Sequence, residues 1–430
     1  MKMRFCLFLA LLVGYIWGDS EFIDFEIENE VYLSEPQVMN IDEFTQRVEK
    51  NSINLAKSRA MAQSLVYEGK AQKAWNTSYI DADIAPVKSP SGGTQIESTI
   101  VLMLTPRLPW VTHTLRQSYQ NKILRQEKSY ELTKRLALIS AKRLYLDYLV
   151  LKEQHQIYTN RYHNARDQLK ISQAQYNAGR ISKSQYLFFK SDFLDTKYAL
   201  KTSHVEMISA LSALKVVLGI TDDSDIMVND LAFTYLDFDE NALESTLAQN
   251  LYLEIVALDV KDYQYSAQVA SRSRFDSFEI GGGFTKSETS EGVQFSLQIP
   301  IPLTTKYGNQ RAMYLALQSG SIREGEILKD SLSVNAKSYL EQLFYKKEAI
   351  ALAKDNENNK RELSEIAKIG YEAGKTSAFE YLSVKNDHLS AMIATTQAKR
   401  DYINTLAMLE ETLSSVLNLQ PVSLAYNKDN

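Results

Sequence analysis

One segment of this sequence occurs twice, and that duplication constrains the fold more than any other feature. Tyr176-Asn-Ala-Gly179-Arg180-Ile-Ser182-Lys-Ser-Gln185-Tyr186-Leu187 returns as Tyr371-Glu-Ala-Gly374-Lys375-Thr-Ser377-Ala-Phe-Glu380-Tyr381-Leu382, at a constant offset of 195 residues. With the same offset Asp192, Leu194, Ala199, Leu211 and Leu214 meet Asp387, Leu389, Ala394, Leu406 and Leu409. A duplicated half is the simplest explanation. In each copy the glycine is suited to end a helix in the left-handed conformation, and the serine three residues on is suited to cap the start of the next. Each half is therefore expected to contain a tight helical hairpin.

The eight prolines mark where long elements must end, because proline breaks both helix interiors and sheet ladders. They leave two long stretches free, 110–299 and 303–420. From Val111 to Ala178 there is also no glycine, and Ile123, Tyr130, Ala137, Leu144, Leu151, Tyr158 and Ala165 recur every seventh residue. That is a coiled-coil seam. At 1.5 Å per residue such a helix reaches on the order of 100 Å, far beyond an ordinary domain, so it must pack along its length against others. The tyrosines of this helix, Tyr145, Tyr148, Tyr158 and Tyr162, read as seam packing.

Between the helices of each half the period changes to two. Val293, Phe295, Leu297, Ile299 and Ile301 alternate with Gln294, Ser296 and Gln298, and Phe278, Ile280 and Phe284 alternate with Glu279 and Thr285. In the first half Ile80, Ala82 and Ile84 alternate with Tyr79, Asp81 and Asp83, and a second strand runs from about Ser98 to Thr105. Each half thus holds one β-hairpin with an apolar face. Gly281-Gly282-Gly283 inside a strand marks a bend or a close approach. Trp75 and Trp110 flank the first hairpin, and Phe275 and Tyr307 flank the second, which suggests a membrane-interface girdle. An open four-stranded sheet would leave unpaired backbone in lipid, so several copies are needed to close a barrel.

Composition excludes other classes. With 44% apolar and 23% charged residues the chain is neither disordered nor a polytopic helical membrane protein. Met-Lys-Met-Arg followed by the uncharged run Phe5–Trp17 has the pattern of a secretory signal, with cleavage expected after Ser20 and Gly18 as the alternative. The only cysteine, Cys6, would leave with it, so neither a disulfide framework nor a thiolate metal site is expected. A mildly acidic chain, −5 in formal charge, argues against nucleic acid. The histidines at 113, 155, 163, 204 and 388 include no i, i+4 pair, and no phosphate loop, nucleophile or paired-carboxylate constellation appears. Neither an enzyme nor a cofactor is expected.

The expected organisation is a signal peptide at 1–20, an extended segment at 21–40, a first repeat at 41–220 with its hairpin at about 77–106 and turn at 176–182, a linker at 221–240, a second repeat at 241–419 with its hairpin at about 276–303 and turn at 371–377, and a tail at 420–430. The fold class is mainly α with a small β part.

Signal, duplicated halves, long helix, Tyr-x-Ala-Gly turn, shorter helix and the strand ending Ile299-Pro-Ile-Pro302-Leu together resemble the TolC-type outer membrane efflux proteins, in length and strand end their heavy-metal and drug efflux branch. The resemblance covers essentially the whole mature chain. It implies a homotrimer whose three chains form a twelve-stranded transmembrane β-barrel, embedded in outer-membrane lipid and continued by an α-helical tunnel across the periplasm. The implied partners are a periplasmic adaptor and an inner-membrane pump. Tyr176, Gly179, Arg180 and Ser182, with Tyr371, Gly374, Lys375 and Ser377, would then be the tips that dock the adaptor. Tyr371 falls on the family's tip tyrosine and Glu380 on its constriction acid, so these two and Gln185, the counterpart of Glu380, are the expected gate. The family's basic residue two places after the glycine is Thr376 here, and its second acidic position is Ser383. Two rival readings remain: the exit duct of a type I protein secretion system, and a soluble periplasmic coiled-coil scaffold.

Overall fold

The computed structural model describes residues 38–89, 92–220, 227–228, 233–236, 240–288, 290–417 and 419–420. The expected signal segment, residues 21–37 and the tail beyond Gln420 lie outside them. In chain order the elements are β1 (Val38–Met39), α1 (Ile41–Asn51), α2 (Ile53–Lys73), β2 (Asn76–Ser89), β3 (Gly93–Thr105), α3 (Pro109–Asn177), α4 (Lys183–Leu218), β4 (Met227–Val228), β5 (Tyr235–Leu236), α5 (Glu240–Leu247), α6 (Leu251–Arg272), β6 (Glu279–Lys286), β7 (Glu291–Gln298), α7 (Lys306–Glu372), α8 (Ala378–Leu413) and β8 (Leu419–Gln420).

The duplication survives at the level of elements. The 36-residue helices α4 and α8 begin and end at the same offset of 195 residues, and the long helices α3 and α7 have 69 and 67 residues. Each long helix is about 100 Å long and cannot bury one face with its own residues. Along the half beyond the sheet, α3 packs on α4 and α8, and α8 packs on α7, giving the order α4–α3–α8–α7. Along the half next to the sheet, shorter helices take over, and α3 packs on α2 and α6 while α6 packs on α7. Each long helix therefore serves two layers, changing partners near its middle.

At that change of partners lie two apolar clusters built from equivalent positions. Ala141, Leu214 and Leu218, all fully buried, sit in one with Phe44 and Tyr145; Ala336, Leu409 and Leu413 sit in the other with Leu343 and Tyr402. Four two-residue strands seal them: β1 pairs with β4 in parallel, and β5 pairs with β8 antiparallel. Sequence alone marked none of these strands, because two residues carry no alternation and the paired segments lie more than 180 residues apart. The stretch expected to be a linker contributes β4, β5 and the buried Tyr235.

An ion pair locks the same level. Lys142 Nζ donates to Glu410 Oε1 at 2.7 Å and to the Leu417 carbonyl at 2.7 Å, and the Leu417 N–H donates to Glu410 Oε1 at 2.6 Å. Burial pushes the Glu410 carboxyl above its usual range, and the Lys142 ammonium opposes that push. The pair ties α3 to α8 and to the chain that follows α8 toward β8.

The two hairpins join in one antiparallel sheet of order β2-β3-β6-β7. The last strand stops at Gln298, short of the expected Ile301, because Pro300 and Pro302 lack ladder donors and Gln298 already meets Glu279, the first residue of β6. Cross-strand register lines up Ile80, Leu102, Gly282 and Phe295, then Ala82, Ile100, Phe284 and Val293, on one face. Of these, Ile80, Ile100, Leu102, Phe284, Val293 and Phe295 are exposed apolar side chains. On the opposite face Tyr79 Oη donates to Glu279 Oε2 at 2.7 Å, and the Thr99 and Thr285 hydroxyls meet at 3.1 Å. The glycine run does what a close approach requires: a Cβ at Gly283 would collide with the Ile100 carbonyl and Val101 Cα.

Replacing Lys142 with methionine should leave Glu410 buried without its cation and lower stability by about 3–5 kcal/mol, read as a fall in the unfolding midpoint. Lys142→Met with Glu410→Leu should recover only part of the loss, since the Leu417 N–H and carbonyl then lack partners.

Candidate functional site

The candidate site is the end of the helical layer remote from the sheet, where two turns reverse the chain. Both are built alike. Gly179 has φ +70° and Gly374 φ +72°, the left-handed conformation that a Cβ penalises by roughly 1–2 kcal/mol. The Gly179 N–H donates to the Tyr176 carbonyl and the Arg180 N–H reaches back to Gln175; the Gly374 N–H donates to Tyr371 and the Lys375 N–H to Gly370. These are the paired bonds of a Schellman termination, which satisfies the last carbonyls of α3 and α7.

Each following helix is capped by its serine. Ser182 Oγ accepts from the Gln185 N–H at 3.2 Å, and Gln185 Oε1 accepts from the Ser182 N–H at 2.9 Å, completing a capping box. In the second turn Ser377 Oγ accepts from the Glu380 N–H at 3.1 Å, while the Glu380 side chain is exposed and takes no part in a reciprocal cap. Of the three expected gate residues, Gln185 is thus committed to local capping and Glu380 is free in the first turn of α8.

A tyrosine pair braces each turn. Tyr176 stacks on Tyr186 with ring centroids 5.3 Å apart, and Tyr371 stacks on Tyr381 at 5.2 Å. The two turns are also bound to each other. Phe189 is buried against Ala378, Leu382 and Tyr371, and Phe188 meets Phe379 at 5.6 Å between ring centroids. The structure therefore brings Tyr371 into the seam between the two turns, whereas Arg180 and Lys375 remain exposed at the apices.

Directly behind the turns lies a polar cluster that the sequence reading passed over. Arg161 of α3, 5% exposed, bonds through Nη2 to Asp192 of α4 and to Asn386 of α8. Lys385 Nζ donates to Gln168 Oε1 at 2.8 Å, and Gln168 Nε2 donates to Tyr381 Oη at 2.7 Å. Burial pulls the Lys385 ammonium down to about 7, and the nearby Arg161 pushes the same way. Burial also raises the Asp192 carboxyl above its usual range, opposed chiefly by Arg161. One signal was available: Arg161 follows the seam residue Tyr158 by three and precedes Ala165 by four, so it occupies a position where a coiled coil normally buries an apolar side chain.

The four expected girdle residues share the level at which the helices meet the sheet. Trp75 precedes β2, Phe275 lies in a 3₁₀ turn before β6, and Trp110 and Tyr307 are each the second residue of a long helix. Trp110 Nε1 donates to the Phe275 carbonyl at 3.2 Å, and Trp75, Trp110 and Phe275 are exposed. His155 and His204, on facing helices, have ring centroids 5.3 Å apart, a proximity that spacing within one helix does not reveal. Among the described residues no group of three or more His, Cys, Asp or Glu is placed to hold a metal ion, and no helix is long and apolar enough to cross a membrane.

Comparison with known proteins adds the following. Residues 242–415 match the family model described as outer membrane efflux protein. No curated protein matches the chain by sequence. Among solved structures the chain superimposes on CusC with a TM-score of 0.74 at 12% identity, covering 87% of this chain and 92% of that one. It matches the Campylobacter jejuni outer membrane channel CmeC with a TM-score of 0.72 at 13% identity, covering 87% and 85%, and the open state of the Neisseria gonorrhoeae outer membrane channel MtrE at 0.66 and 14%, covering 87% and 89%. At such identities the likeness speaks for the fold.

The depressed Lys385 ammonium has a stability consequence of defined sign. Its folded value of about 7 lies below the unfolded 10.5, so the unfolded chain binds more protons between those values and stability rises with pH across that window. Lys385→Met removes this penalty. Its unfolding midpoint should exceed that of the wild type most at pH 7 and below, and the gap should shrink as pH rises toward 10.

Proposed function

We propose that this chain, whose residues 242–415 match the outer membrane efflux protein family and whose two halves share the fold of such channels, works as one: three copies close head to tail into an outer-membrane exit duct, which conducts substrates without chemistry of its own. The observation that carries this reading is that the chain has two unfilled edges running its whole length. Strand β2 is one edge of the sheet and β7 the other. The edge of β2 continues into α2 and α4, and the edge of β7 continues directly into α7.

The backbone demands closure at the sheet. An apolar-faced sheet in lipid must pair every strand, and β7 is antiparallel to β2, so β7 of one copy can continue the ladder with β2 of the next. Four strands are too few for a barrel on their own, and three copies supply twelve. The exposed band that includes Ile80, Ile100, Phe284 and Phe295 then faces lipid, and Trp75, Trp110, Phe275 and Tyr307 lie at the periplasmic boundary of that band.

The helical edges demand the same closure in water. On α4, Leu187, Leu194, Tyr198, Val205 and Val216 are exposed and lie within a narrow arc of a 3.6-residue period. On α7, Ile327, Val334, Tyr345, Leu352 and Leu363 form a comparable exposed stripe. Stripes this long on the two outermost helices suit the packing of α4 from one copy against α7 of the next. A ring of three such layers encloses a tunnel of twelve helical segments, walled like the sheet above it.

In this arrangement the Gly179 and Gly374 turns are the periplasmic mouth. The exposed Arg180 and Lys375, together with the capping Ser182 and Ser377, offer the adaptor a polar apex held rigid by Tyr176 and Tyr371. Energy comes from the partnered inner-membrane pump. The gate is the closed mouth itself. Opening it parts the contact of Tyr371 and Phe189 between the two turns of one chain and moves Gln185 and the free carboxylate of Glu380 away from the axis.

Protein extracted from outer membranes in detergent should have the mass of a trimer and shift in mobility on heating; a monomer obtained without detergent would overturn the duct. Gly179→Val and Gly374→Val should each abolish export while leaving trimers in the membrane, since the strain of about 1–2 kcal/mol or more falls on the turn alone. Normal export by both variants would remove the docking role of the tips.

A further inference from the structure

Behind the turns, α3, α7 and α8 surround a cavity of about 910 Å³. Its lining divides into two tiers of charge. At the rim the exposed Arg180 and Lys368 are offset by the exposed Asp167 and Glu372. Further in, Arg161 and Lys385 face Asp192, so whenever Lys385 is protonated the pair carries one positive charge more than that carboxylate neutralises. Arg161 is 5% exposed, and its Nε and Nη1, like Oδ2 of its partner Asp192, have no hydrogen-bond partner among the described residues. Lys385 is held by the neutral amide of Gln168. Unmade bonds at such depth are costly, and an oxyanion in the cavity would give a protonated Lys385 the opposite charge that Asp192, already bonded to Arg161, does not supply.

We propose that this cavity is a binding site for a small organic anion, one that carries a carboxylate or phosphate oxygen and a compact apolar body. Arg161 and Lys385 pair with the oxyanion. The Tyr381 hydroxyl, which accepts from Gln168, keeps its own proton to donate to the same group. Ile157, Ile171, Leu389 and Met392 are among the other lining residues, beside the polar Asn160, Asn164 and His388, and take the apolar body. The volume is in the range that holds such ligands.

The titration of Lys385 supports the assignment. The charged groups that face it are Arg161 of α3, Asp192 of α4 and Lys368 of α7, and burial with the two cations draws it down to about 7. A bound anion reverses that shift, so binding near pH 8 should take up a proton.

The test is calorimetric titration of the full-length protein in detergent with 2-naphthoate, and with 2-naphthamide as the neutral analogue. Saturable binding of naphthoate alone is expected. The heat at pH 8 should vary with the ionisation enthalpy of the buffer, as proton uptake demands. Lys385→Met should weaken binding at least tenfold, as should the paired replacement Arg161→Met with Asp192→Leu, which leaves no buried carboxylate stranded. Absence of saturable naphthoate binding, equal binding of naphthamide, or undiminished binding by a folded Lys385→Met protein would each overturn the site. The measurement is made on purified protein and is independent of export, so its failure leaves the duct untouched.

Discussion

A helix of about 100 Å has no interior of its own, and everything else in this protein follows from covering two of them. Each of α3 and α7 is packed by one set of short helices beside the sheet and another beyond it. Where the sets change, the long helix would be exposed. That is where the two apolar clusters, the four two-residue strands and the Lys142–Glu410 pair are concentrated. Buried ion pairs are poor sources of net stability. This one is useful because it fixes register, joining α3 and α8 at one level and holding the chain that leads to β8.

The sheet has the same incompleteness in a different chemistry. Helices satisfy their own hydrogen bonds and leave only apolar stripes unfilled, whereas strands leave the backbone itself unpaired. The first deficit can be tolerated briefly in water. The second cannot be tolerated in lipid. Both deficits fall on the same two edges of the chain, so the proposed head-to-tail contact would answer both, and the duplication places one half of the protein at each edge.

The turns illustrate how a repeat diverges while keeping its geometry. The paired Schellman bonds, the left-handed glycines, the serine caps and the stacked tyrosines are retained in both copies. What differs is the residue three after the serine: Gln185 closes a capping box, and Glu380 leaves a carboxylate free. The equivalence fails further in as well, since Arg161 and Asp192 bury a charge pair near the first turn that has no copy in the second half, where Asn356 and Asp387 stand. A buried pair of that kind, with Lys385 beside it, gives the turn end of the chain a polar interior.

Much of this was legible in the sequence. Proline positions, the 195-residue offset, the seven-residue seam and the period-two segments located the long helices, their reversals and both hairpins, because each rests on local chemistry: a missing N–H, a missing Cβ, or a side-chain period. The turn residues were found for the same reason. Only the tertiary structure decided which strands lie at the sheet edges, which helices lie outermost, that β1, β4, β5 and β8 exist, and that Arg161, Gln168 and Lys385 line one cavity with Asp192 paired to Arg161. Those facts depend on contacts between residues far apart in the chain, which no local period records, and on burial, which a charged residue in a seam can signal but cannot supply with a partner.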